Sequence, residues 1–65
     1  MKTEKAFEII MSEVFNRIRL SASLMERKEL WDLVENIKSI ERDFGFSEKE
    51  IHAITDKALD YRNDS

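Results

Sequence analysis

Apolar residues recur along the chain at intervals of three and four positions, the spacing of one face of an α-helix. Strand-like alternation of apolar and polar residues is nowhere sustained. Proline is absent and glycine occurs once, so few residues interrupt the helical pattern. The pattern therefore predicts an all-α protein with three helices, at about residues 4–20, 24–44 and 48–62.

The predicted first helix begins after Thr3, a suitable N-cap, and Glu4 suits the positive end of the helix dipole. An apolar stripe runs along this helix, and further apolar residues widen it. Such width is typical of a helix that packs against two others. The stripe consists of Phe7, Ile10, Val14 and Ile18, and its margins hold Ile9, Met11 and Phe15.

The predicted second helix has the most regular pattern, which is typical of the seam of a coiled coil or a helical hairpin. This seam is self-complementary, so two copies of the chain could pair along it. We therefore expect a small three-helix bundle or a helical hairpin plus a third helix, with dimerisation left open. The seam consists of Leu30, Leu33, Ile37, Ile40 and Phe44, and a second stripe beside it holds Trp31 and Val34.

The first corner is predicted at "SAS", residues 21–23. Ser23 and Glu26 have the spacing of a capping box, in which the serine oxygen accepts from the N3 amide and the glutamate reaches back. Serine and alanine also tolerate helix, so residues 21–23 could instead continue one long rod.

The second corner is predicted within "DFGFSEKEI", residues 43–51. Gly45 suits the left-handed position that ends a helix, because it has no Cβ atom to clash. Ser47 and Glu50 form a second capping box and start the third helix. That helix is expected to reach about Arg62, and its apolar face holds Ile51, Ile54, Ala58 and Tyr61.

The composition indicates a single small domain over residues 1–65. Apolar residues at 42% and charged residues at 38% argue against a disordered chain. Cysteine is absent, which fits a reducing compartment, and no export signal or membrane-length apolar run is present. We therefore expect a cytoplasmic protein without membrane contact.

The second corner resembles the helix-turn-helix motif, in which a short turn with glycine joins two helices locked by apolar residues. The resemblance implies a dimeric DNA-binding regulator with Lys49, His52 and Lys57 facing DNA. From residue 47 onward, however, five acidic residues stand against three basic ones, and the net charge is −3. Because DNA binding depends on basic residues that contact phosphates, we keep this function only as an alternative.

Two kinds of chemistry are weighed and set aside. Carboxylates and one histidine recur every four residues on the predicted third helix, but a straight helix offers a metal ion only adjacent pairs of ligands. The lone histidine has no evident nucleophile beside it, and the chain is too small to enclose a pocket. We predict no enzyme activity, cofactor or metal; the residues weighed as metal ligands are Glu48, His52, Asp56 and Asp60.

The leading hypothesis is a non-enzymatic protein-binding module, a small regulator, inhibitor or adaptor that occupies a partner protein's surface. A bundle this thin is expected to leave some large apolar residues exposed, and aromatic residues are common at binding hot spots. An acidic excess on the second and third helices suits a basic partner surface. A purely structural dimerisation module is a further alternative. The predicted partner-binding residues are Phe15 and Trp31 as apolar anchors, with Glu48, Asp56 and Asp60 as an acidic rim.

Overall fold

A computed structural model describes residues 2–61 of the chain. Within this range the protein consists of three helices, α1 (Lys2–Leu20), α2 (Leu24–Phe44) and α3 (Glu48–Asp60). The helices fold into a small compact bundle, which confirms the predicted all-α class. The predicted end of the third helix at Arg62 lies outside the described residues.

Helix α1 begins earlier than predicted. Thr3 lies inside the helix rather than at its N-cap, because Lys2 is already helical. No proline or glycine precedes Thr3, so nothing in the sequence stops the helix from extending backward. Glu4 still lies in the first turn, where its carboxylate suits the helix dipole.

The first corner is a turn, with residues 21–23 outside both helices. Ser23 caps α2, and its hydroxyl oxygen accepts a hydrogen bond from the Glu26 amide at 3.2 Å. The second half of the predicted capping box is wrong. The Glu26 carboxylate accepts from the Ser21 hydroxyl at 2.6 Å instead, because the non-helical turn brings that side chain within reach.

The second corner is built as predicted. Gly45 has φ 107°, and its N–H donates to the Arg42 carbonyl at 3.0 Å. Phe46 N–H donates to the Glu41 carbonyl at 3.1 Å, which completes a Schellman ending. Both bonds of the following capping box form: Glu50 N–H to Ser47 Oγ at 3.2 Å, and Ser47 N–H to Glu50 Oε1 at 2.8 Å.

The core lies where all three helices meet. Helix α3 packs chiefly against α1 and less against α2. On α3 the predicted face is confirmed for Ile51, Ile54 and Ala58. The buried apolar residues of the core are Met11, Val14, Phe15, Ile18, Val34, Ile37, Ile51, Ile54 and Ala58.

The core-facing side of α2 differs from the predicted seam. Val34, Ile37 and Glu41 are buried, whereas Leu33, Ile40 and Phe44 are 42%, 49% and 64% exposed. The two stripes share Ile37 and adjoin on the helix surface, so a small rotation of α2 about its axis exchanges them. On α1 a similar rotation places Met11 and Phe15 in the core and leaves Ile10 49% exposed.

None of the helices formed by residues 2–61 combines the length and the apolar character that a membrane crossing requires.

Candidate protein-binding surface

Trp31 lies at the edge of the core, and the residue is 48% exposed. It precedes the buried Val34 by three positions on α2, so one side of the ring turns inward. The ring packs at a tilt of 58° on Phe15, with 5.9 Å between the ring centroids. Trp31 is thus held in place by the core while much of its surface remains open to solvent.

Phe15, the second predicted anchor, is a core residue in the structure. Its side chain is only 4% exposed, because it follows the fully buried Met11 by one helical turn. Phe15 can therefore support Trp31 from below, and Trp31 alone of the two predicted anchors offers a large exposed area.

An open groove of about 380 Å³ surrounds Trp31, and we call it the Trp31 groove. Its floor is apolar, and two arginines stand at its margin. Arg19 comes from the last turn of α1, and Arg27 precedes Trp31 by four positions on α2. The groove is lined by Phe15, Ile18, Arg19, Arg27, Trp31 and Leu59.

The three predicted acidic residues do not gather around the Trp31 groove. Glu48 lies at the start of α3, whereas Leu59 of the groove lies near its end, about 16 Å further along the helix axis. Asp56 precedes Leu59 by three positions and is therefore its neighbour on the helix surface. Asp60 is exposed on α3. None of the three lines the groove, and Asp56 is the one that lies a helical turn before Leu59.

Glu48 is engaged within the protein. The Arg42 guanidinium donates to both carboxylate oxygens, with 3.2 Å from Nη2 to Oε1. This hydrogen bonding holds the pKa of Glu48 below its ordinary value and raises the pKa of Arg42. The pair joins the end of α2 to the start of α3, so its first role is structural.

The basic residues considered for DNA binding are partly engaged as well. Lys57 Nζ lies 4.0 Å from Glu8 Oε2, and His52 Nε2 lies 3.4 Å from Asp56 Oδ2. Within residues 2–61, no three potential metal-ligating side chains come together.

Two glutamates are buried, and the sequence pattern did not lead us to predict the burial of either. Glu8 is 6% exposed and accepts a hydrogen bond from the Tyr61 hydroxyl at 3.1 Å. Glu41 is 0% exposed, and neither of its carboxylate oxygens has a hydrogen-bond partner. Burial raises the pKa of Glu41, an effect that the charges of Lys38 and Arg42 partly oppose. The spacing could have indicated the burial of Glu41, because Glu41 follows Val34 by seven positions and Ile37 by four.

A second apolar surface lies on the α1–α2 hairpin, and we call it the hairpin face. It comprises four large apolar side chains that are each 42% to 64% exposed. Phe44 is tied to α1 through an edge-to-face contact with Phe7, with 5.5 Å between the ring centroids. The members of the hairpin face are Ile10, Leu33, Ile40 and Phe44.

Compared with known proteins, the chain matches no family model, no curated protein and no solved structure.

Proposed function

We propose that this chain is a non-enzymatic protein-binding module, a small cytoplasmic regulator, inhibitor or adaptor that occupies a partner protein's surface through the Trp31 groove. The observation that carries the proposal is Trp31 itself. This residue is 48% exposed, and it lines the groove together with apolar side chains and two arginines. Tryptophan and arginine are the residue types most enriched at binding hot spots.

The packing of Trp31 favours binding because the ring is ordered before a partner arrives. Phe15 supports the Trp31 ring from the core, so the binding of a partner restricts the ring little further. A contact surface that is already ordered avoids part of the entropic cost of association. Covering the ring and the groove floor also removes apolar surface from water.

The groove indicates the chemistry of the partner. An apolar side chain suits the space beside Trp31, and a carboxylate next to it can reach Arg19 or Arg27. On the α3 side, Asp56 suits a basic residue, in line with the predicted attraction to a basic surface. Asp60 adds negative charge beyond the groove, where it can steer such a partner during approach. Glu48 is already paired with Arg42, and Asp56 has His52 as a neighbour, with 3.4 Å between Nε2 and Oδ2.

Affinity capture from the native host, with mass spectrometry, tests the proposal. Wild type and Trp31→Ala serve as baits, and both are first checked for folding by circular dichroism. We expect one partner to bind wild type and to be depleted at least roughly tenfold on the variant, as for a hot-spot residue.

The matched control is Ile9→Ala. Ile9 is 46% exposed, close to the value for Trp31. It lies two positions from both Phe7 and Met11, which face inward, so it projects to the opposite side of α1. The Ile9→Ala bait should retain the partner fully.

A folded Trp31→Ala variant that captures the same partner as well as wild type would contradict the proposal. If Trp31→Ala fails to fold, Arg27→Glu replaces it, because Arg27 is exposed at the groove and the change leaves the core intact. Retention of the partner by Arg27→Glu would then count against the groove. If wild type captures no partner from the host but self-associates, the protein is the purely structural dimerisation module.

A further inference from the structure

The four residues of the hairpin face all point away from α3. Three residues mark the side of the hairpin that faces α3. Glu8 accepts a hydrogen bond from Tyr61, the C-cap of α3, and Arg42 pairs with Glu48 of α3. Trp31 shares the Trp31 groove with Leu59 of α3. Ile10 lies two positions after Glu8, and Leu33 lies two after Trp31. Ile40 and Phe44 lie two positions before and after Arg42. Two positions are about 200° around a helix. The bundle therefore covers one side of the α1–α2 hairpin with α3 and leaves the other side uncovered.

The exposed side chains lie close together because α1 and α2 run antiparallel. Phe7 contacts Phe44, and Phe15 contacts Trp31, so positions on the two helices are matched in reverse order. Three positions after Phe7 comes Ile10, and four before Phe44 comes Ile40. These two are level with each other, and Leu33 continues the surface along α2.

We propose that the hairpin face binds the hairpin face of a second copy, which makes the chain a symmetric homodimer with a central four-helix layer. The four side chains are 49%, 42%, 49% and 64% exposed. Together they present roughly 400 Å² of surface, the size of the largest apolar patch on a typical monomer. A standard interface buries about 800 Å² per partner, somewhat more than half of it apolar. The exposed area of the four side chains is therefore close to the apolar share of one standard interface.

The charges at the edge of the hairpin face favour one symmetric arrangement. Arg17 lies two turns after Ile10 on the same side of α1, and Glu29 lies one turn before Leu33 on the same side of α2. A two-fold axis parallel to the helices places α1 of each copy opposite α2 of the other. Arg17 then faces Glu29 of the second copy, and Ile10 faces Ile40, in two identical sets.

Both the apolar stripe and this pair of charges are complementary to themselves. A second copy therefore satisfies the whole surface, whereas a different protein would have to reproduce the same stripe and the same charges. The dimer leaves the Trp31 groove open, because Trp31 and Leu33 lie on opposite sides of α2. Self-association and partner binding are thus separate properties of one chain.

Sedimentation equilibrium at tens of micromolar tests this proposal. Wild type, with a chain mass of 7.7 kDa, should sediment as a dimer. Ile40→Asp should raise the dissociation constant at least roughly tenfold, because it buries a carboxylate in the apolar centre of the interface. Ile9→Asp, the same change at an equally exposed site outside the face, should leave the dimer intact.

A charge exchange tests the arrangement itself. Arg17→Glu alone should weaken the dimer several-fold, and Arg17→Glu combined with Glu29→Arg should restore it. Because both positions are exposed, these variants remain informative if Ile40→Asp fails to fold. A monomeric wild type, or a dimer that Ile40→Asp and Arg17→Glu both leave unchanged, would overturn the proposal.

Discussion

The Trp31 groove and the hairpin face both expose apolar side chains, but they differ in how these side chains meet the core. The groove continues the core outward: its floor includes Phe15 and Ile18, which are 4% and 6% exposed. The hairpin face is a stripe beside the core, made of side chains that are 42% to 64% exposed, of which Phe44 packs on Phe7. The Trp31 groove can therefore hold one inserted side chain, whereas the hairpin face can pair with another flat layer of helices.

This difference depends on which side of α2 faces inward. In the structure the buried stripe of α2 contains Glu41, and the exposed stripe contains Leu33, Ile40 and Phe44. A carboxylate in the core is costly, and an apolar stripe in water forgoes burial that would stabilise the fold. The chain accepts both, and this is the reason for proposing self-association through the stripe that stays outside.

The largest expected effect follows from truncating the floor of the groove. Phe15→Ala should cost about 3–5 kcal/mol of stability, which is typical of a buried phenylalanine. A single core of this size supplies about the same amount in total, so the variant should be largely unfolded. Far-UV circular dichroism and urea unfolding measure the change.

Ile40→Ala on the hairpin face provides the contrast with Phe15→Ala. At a protein concentration low enough to keep the chain monomeric, it should change stability by no more than about 0.5 kcal/mol. Equal losses from the two variants would show that the two surfaces do not differ in the way described.

The next effect has the opposite sign and concerns Glu41. Glu41→Met should stabilise the monomer by about 1–3 kcal/mol, because an apolar side chain of similar shape replaces a buried carboxylate without hydrogen bonds. Thermal and urea unfolding measure the gain.

The control for Glu41→Met is the same change at Glu35, an exposed residue of α2. That variant should lie within about 0.5 kcal/mol of wild type. If the predicted seam of α2 faced the core instead, Glu41 would reach water and its replacement would be nearly neutral. A gain at position 41 therefore supports the observed rotation of α2, and no gain argues against it.

The pH dependence of Glu41→Met gives a smaller, independent effect. Burial raises the pKa of Glu41 in the folded state above its ordinary value of 4.5. The charge penalty is absent below the unfolded-state pKa, where the carboxyl is neutral in both states. It grows as the pH rises from the unfolded-state pKa to the raised folded-state pKa, and it is constant above that value. The stability difference between Glu41→Met and wild type should therefore be smaller at pH 4 than at pH 7.

The ion pair of Glu48 and Arg42 affects the stability with the opposite pH dependence. Arg42 lowers the pKa of Glu48, so the stability from this pair is present above the unfolded-state pKa and is lost as the pH falls. Wild type and Glu41→Met share this pair, and its contribution cancels in the difference between them. A stability difference that does not change with pH would show that Glu41 is not held in a desolvated, ionisable state.

The sequence predicted the elements whose signals are local. Gly45, Ser47 and Glu50 fix the second corner through bonds that span only a few positions, and all of these bonds form. Local signals do not determine which side of α2 faces the core, because two adjoining stripes share Ile37. The more regular stripe lacks a charged residue, so it looked like the core, yet Glu41 lies in the stripe that is buried.

The candidate surface was predictable only in part. Trp31 at the margin of a stripe indicated partial exposure, and it is half exposed. That Leu59 of α3 and Arg19 of α1 complete a groove around it depends on tertiary packing, which the spacing of residues does not contain. The position of Phe15 in the core depends on the rotation of α1, in the same way as Glu41 depends on that of α2.

The two proposals together assign the two apolar surfaces to two different contacts. They are tested side by side with Trp31→Ala and Ile40→Asp, each measured by partner capture and by sedimentation equilibrium. We expect Trp31→Ala to lose the partner and remain dimeric, and Ile40→Asp to become monomeric and still capture the partner. A single variant that abolishes both properties while staying folded, or two folded variants that change neither, would contradict this assignment.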